Sequence, residues 1–219
     1  FVVCVLIAIV LMFANYVIIM PLQAVANALG MPQEGAVSMA FNIVGCFVVL
    51  GTAIALTYLL ARYVLGRSLR DIGFLWSKDS WWLALVGFGV SFAAVTLARL
   101  LVPLTGIVHN QPVPWEQVTP SVVLWSVAVK TAQAIALQGI PEELDWRGWL
   151  MHALVERPRT ALVVSAVAFG AMHFVSKGND ANPLVYMLTA AAFAFCAGAL
   201  ALRLRSLWPA IGVHAGMHM

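Results

Sequence analysis

Charge is what this sequence has least of. Charged residues make up 10% of its 219 positions and hydrophobic ones 63%, with a mean hydropathy of +0.94. A soluble domain needs far more polar cover, so that class is excluded. No acidic or basic residue precedes Glu34, and none lies between Gly35 and Ala61. Uncharged runs of this length read as transmembrane helices. Cysteine is also sparse. Cys4, Cys46 and Cys196 are scattered one per apolar run without CxxC spacing, which points to neither a disulfide nor thiol chemistry. There is no internal repeat, low-complexity tract or second domain. Residues 1–219 therefore read as a single membrane domain, with N-terminal spans over 1–104 and motif-bearing helices over 121–219.

What is present is a series of apolar segments: about 1–20, 36–61, 81–104, 121–140, 160–175, 183–202 and 207–219. Proline, glycine or charge punctuates the connections. The expected fold is all-α, a polytopic bundle of about seven to eight transmembrane helices. Phe1 is not an initiator Met, and the last segment is too short to span, so the sequence is expected to continue at both ends. The first segment is too long for a signal-peptide core and shows no small-residue cleavage site, so it reads as a span.

The net charge of +3 matters through its distribution. Arg62, Arg67, Arg70 and Lys78 follow the second segment, Arg157 and Arg159 the fourth, and Arg203 and Arg205 the sixth. The alternate connections hold only Lys177, set against Glu34, Glu116 and Asp180. Eight basic residues against one place the even-numbered connections, and the N-terminus, in the cytoplasm. Arg99, Lys130 and Arg147 are left at membrane depth; the first two receive no role, and Trp81 with Trp82 fits an interfacial aromatic belt. His109 reads as solvated in an external loop and His152 as interfacial.

One stretch, PEELDWRG at 141–148, concentrates charge where there is otherwise none. An intramembrane charge costs about 2.5–3.5 kcal/mol on insertion scales, so those present usually pair or work. Glu143 and Arg147 are four apart with the acid N-terminal, which suits an ion pair on one helix face. Glu142 is rotated about 100° from that pair and is left to face elsewhere. His214 and His218 share a face, as do Phe169 and His173. Counted from the flanking arginines, Glu142, His173, His214 and His218 lie roughly 22, 21, 14 and 20 Å deep. A lone intramembrane histidine is ordinarily a hydrogen-bonded packing residue. One carboxylate and three histidines converging at one level favour a water-activating or metal site instead.

These residues also carry a resemblance. Glu142-Glu143-Leu144-Asp145-Trp146-Arg147 matches EExxxR, followed by Gly148; Phe169-Gly170-Ala171-Met172-His173 matches FxxxH; and His214 opens a motif of the form HxxxN. In this order they resemble the CPBP family of intramembrane proteases, also called Abi or type II CAAX prenyl endopeptidases. The likeness covers about 141–219, including Ser206 to Ile211. It implies a helical membrane hydrolase with its site toward the cytoplasmic side. In that scheme Glu142 is the general base, His173 and His214 polarise the water and stabilise the oxyanion, and Glu143 and Arg147 form a supporting pair.

Two departures stand out. The last motif position, usually Asn, is His218, so His173, His214 and His218 with Glu142 make an N3O set of a kind Zn2+ accepts. Asp145 replaces a usual apolar residue and, at i+3, is placed to act on Glu142 by like-charge repulsion. The expected partners are a membrane-associated protein or peptide substrate and the lipid bilayer, with no nucleic acid. A prenylated substrate requires an organism that prenylates proteins. Two other readings stay open: a catalytically silent immunity or scaffold protein, and a proton-coupled transporter, against which the lack of an inverted repeat argues.

Overall fold

The structure, a computed structural model, describes residues 2–31, 35–106, 115–176 and 182–219. Every regular element among them is helical. In chain order they are α1 (Val2–Val17), α2 (Ile19–Ala28), α3 (Gly35–Tyr63), α4 (Lys78–Leu101), α5 (Pro120–Ala153), α6 (Pro158–Ser176), α7 (Pro183–Leu204) and α8 (Trp208–Met217). By length and apolarity α3, α4 (with the short 3-10 turn that extends it to Thr105), α5 and α7 can each cross a membrane. Large apolar side chains such as Leu85, Val90 and Leu97 of α4 face outward, which suits lipid contact. The protein is a polytopic helical membrane protein. His109, Glu34, Lys177 and Asp180 lie outside the described residues.

The helix starts follow from the sequence. Ser77 and Ser80 form a reciprocal capping box on α4. Thr119 and Asn182 accept backbone N–H groups at the starts of α5 and α7, each with proline at the first helical position, where its missing N–H costs nothing. The first apolar segment, expected as one span, is two helices meeting at Ile18. Pro21 sits in the first turn of α2, where the same tolerance applies.

The fourth segment departs most from expectation. Instead of ending near residue 140 it runs unbroken to Ala153, and PEELDWRG lies inside it. An interior proline should break an α-helical ladder. Here π-helical stretches, Gln133–Gly139 and Leu144–Leu150, flank the short α-helical Ile140–Glu143. The Ile140 N–H donates to Ile135 O and the Met151 N–H to Trp146 O, each five residues back. The wider turns accommodate Pro141 and re-aim the side chains around it, as π-bulges often do at functional sites.

Helix α8 is short but deeply set. It packs most extensively on α4, and also on the first π stretch of α5 and on α7. Gly212 and Gly216, a GxxxG pair, face α4. A Cβ on Gly212 would collide with the Ala84 carbonyl, and one on Gly216 would sit 2.5 Å from Phe88 O. Such close backbone approach is how small-residue motifs join membrane helices. At the arginine-rich end, the Leu207 N–H donates to Gly73 O and Trp208 Nε1 to Leu75 O, tying α8 to the connection between α3 and α4. Trp76 and Trp81 gather edge-on nearby, the rings of Trp76 and Trp208 being 4.9 Å apart.

Candidate active site

The long helix α5 delivers Glu142, Glu143 and Arg147 to the interior, where all three are buried. Arg147 Nη1 donates to Glu143 Oε1 at 3.0 Å, the expected i,i+4 pair. The guanidinium also lies over two rings, 5.0 Å from the Phe169 centroid and 5.8 Å from that of Phe193. These cation–π contacts partly offset the loss of water.

Glu143 has a second partner. His214 of α8 donates from Nδ1 to the same Oε1 at 2.8 Å. A carboxylate paired with arginine can only accept, so the imidazole proton sits on Nδ1 and Nε2 is left to face the site. Glu142 Oε2 is 3.8 Å from that Nε2, too long for a direct hydrogen bond. The nearest carboxylate to His214 is thus Glu143, not Glu142. The pair that sequence spacing identified as self-contained is also the anchor of a histidine 71 residues away.

The other histidines complete the cluster. His173, half-buried on α6, donates from Nδ1 to Phe169 O at 2.8 Å, which likewise turns Nε2 outward. Its ring is 4.3 Å from Phe169, itself 6.2 Å from His214. His218, at the C-terminal cap of α8, lies 5.2 Å from His214 ring to ring. His173, His214 and His218 line one cavity of about 50 Å³ with Tyr186, Thr189 and Phe193. That is room for a few water-sized groups at most. Glu142 adjoins the cavity through His214. All six residues expected from the sequence therefore meet in one region. Asp145 is buried within electrostatic reach of Glu142.

Residues 123–219 match the family model described as type II CAAX prenyl endopeptidase Rce1-like. This part of the chain is an Rce1-like domain. The domain takes in α5 from its first turn through α8, and so holds every residue of the cluster just described. No curated protein and no solved structure matches the chain. The Rce1-like family is named for a protease, which sets a peptide or protein as the class of substrate.

The geometry also identifies parts that spacing alone missed. Helix α4 lies outside the Rce1-like domain, yet it is the surface on which α8 and its histidines rest. The signal was present in Gly-Val-His-Ala-Gly (212–216), whose glycines bracket His214. A second, polar cleft of about 280 Å³ shares His218 and is lined by Lys130, Gln133 and Gln138. Lys130 thereby gains a place beside the site. Arg99 donates from Nη1 to Met219 O. His152 is half-buried, its Nδ1 3.1 Å from Arg147 O.

The donor types suit Zn2+, and two imidazoles present Nε2 with Nδ1 held by an acceptor, the second-shell pattern of metal-ligating histidines. Among the described residues, however, no group of three or more His, Cys, Asp or Glu side chains stands close enough to hold one ion.

Proposed function

We propose that the protein is an intramembrane endopeptidase that hydrolyses peptide bonds of membrane-associated substrates with a water activated by Glu142. The observation that carries this reading is the approach of Glu142 Oε2 to His214 Nε2 beside a small histidine-lined cavity. Glu142 takes a proton from water, and the hydroxide attacks the scissile carbonyl carbon. Glu143 holds His214 through Nδ1, so Nε2 accepts from the attacking water and orients it beside Glu142. His173 and His218 complete the polar wall. The proton on Glu142 then passes to the leaving amine as the C–N bond breaks.

The polar cleft beside His218 offers amide side chains to an extended peptide backbone, which needs hydrogen-bond partners within an apolar bundle. The clustering of arginines and lysine at the starts of α4, α6 and α8 and the ends of α3 and α7 supports a cytoplasmic setting for that end.

The test is cleavage of a reporter substrate co-reconstituted in liposomes. Wild type is expected to cleave it and Glu142→Ala to lose cleavage while melting at a similar temperature. Equal behaviour of the two would remove Glu142 from the chemistry. Zinc binding by His173, His214, His218 and Glu142 would require these side chains to draw closer together than they stand here.

A further inference from the structure

Addition of hydroxide to a scissile carbonyl leaves negative charge on its oxygen, and in an apolar bundle that charge needs hydrogen-bond donors. The groups that activate the water supply lone pairs instead. Glu142 acts as a carboxylate and can only accept. His214 and His173 each spend the Nδ1 proton on an acceptor, Glu143 Oε1 and Phe169 O, both at 2.8 Å. In a neutral imidazole that leaves Nε2 as a lone pair. The oxyanion therefore needs an O–H or N–H from elsewhere in the lining of the histidine cavity.

Helix α7 provides one wall of that cavity. Tyr186, Thr189, Ala190 and Phe193 recur at i, i+3, i+4 and i+7, one helix face, and all four line it. Two of them carry hydroxyls. Thr189 Oγ1 donates to Val185 O at 2.9 Å, one turn back, so its proton is spent within the helix. Tyr186 is half-buried, and its ring lies 5.7 Å from that of His173. The first turn of α7 fixes its place: Asn182 caps the helix, Pro183 opens it, and the Tyr186 N–H donates to Asn182 O at 3.1 Å. A phenol can accept from one neighbour while it donates to another. Among the described residues of the lining, the remaining donor is His218 of α8.

We propose that Tyr186 is a further catalytic residue, its phenol O–H donating to the developing oxyanion from α7 while His218 approaches from α8. This rests on the Glu142-activated hydrolysis described above. The hydroxide oxygen bonds to the carbonyl carbon, and the π pair of the C=O bond moves onto the oxygen that Tyr186 holds. Collapse returns that pair, breaks the C–N bond and sends the proton on Glu142 to the amine. Tyr186 keeps its own proton throughout. Packing against His173 needs only the ring, so the hydroxyl is the part that distinguishes catalysis from packing.

Tyr186→Phe keeps the ring and removes the O–H. With the full chain and a reporter substrate in liposomes, its kcat is expected to fall on the order of 100-fold. KM and the melting temperature should stay near those of wild type, since the lost contact is made only in the transition state. A phosphinic analogue of the scissile bond carries the oxyanion charge permanently, and it should inhibit Tyr186→Phe less tightly by a similar factor. Thr189→Val should lose far less, because that hydroxyl already serves Val185 O. Cleavage that requires Glu142 but is equal in wild type and Tyr186→Phe overturns this proposal alone. So does a kcat loss that tracks a lower melting temperature, or an equal loss in Thr189→Val. Equal behaviour of wild type and Glu142→Ala removes the hydrolytic reading, and this proposal with it.

Discussion

Gly216→Ala tests whether the spacing of α4 and α8 sets the catalytic geometry. The added Cβ would lie 2.5 Å from Phe88 O and 3.0 Å from Phe92 N, both backbone atoms of α4. An unstrained C···O contact is about 3.4 Å, so α8 has to move by about 0.9 Å. His214, two residues away, is held by a 2.8 Å bond to Glu143. A change of about 0.9 Å in either sense takes that bond outside hydrogen-bond range. A misplacement of about 1 Å costs on the order of 100-fold in rate, and overpacking costs about 1–3 kcal/mol of stability. The assay is reporter cleavage with a thermal melt on the same preparation. Gly89→Ala on α4 is the control, since its Cβ would meet nothing within 4 Å; it should stay close to wild type. Gly216→Ala protein with wild-type cleavage and melting would refute the claim that the α4–α8 contact positions His214.

Arg147→Met leaves Glu143 buried without its cation, a change worth about 3–5 kcal/mol of stability, so the melting temperature should fall at least as sharply as activity. Glu143→Gln keeps an acceptor for His214 but loses its charge; a drop in cleavage with a small drop in melting would place Glu143 in the chemistry as well as the scaffold. A zinc enzyme would carry stoichiometric metal that His173→Ala and His214→Ala lose, read by elemental analysis, whereas zinc-free protein that still cleaves assigns catalysis to Glu142 and the histidines alone. Hydrogen bonds from the Ser68 backbone and side chain hold the exposed Asp71 carboxyl below its usual range, with Arg67 and Arg70 adding to this. Because the folded value is depressed, its stabilisation is present above about pH 4 and is lost as pH falls through the folded value. Melting of Asp71→Asn should therefore differ from wild type at neutral pH and converge with it in acid.

The sequence by itself determined whatever depends on local helix geometry. Long uncharged runs require helices in a bilayer because the backbone must satisfy its own hydrogen bonds. The i,i+4 spacing of Glu143 and Arg147 brings them together on one helix wherever that helix is placed, and the three motifs named the residues that meet. The fourth apolar segment misled in one respect: its run ends near residue 140, whereas π-helical turns carry α5 past Pro141 to Ala153. That choice rests on neighbours that pack around the wider turns, which no local propensity encodes. Only tertiary structure decided that Glu143 also holds His214, since a contact between residues 71 apart depends on how α8 seats. The seat is α4, and the glycines of Gly-Val-His-Ala-Gly gain their meaning only once another backbone lies against them.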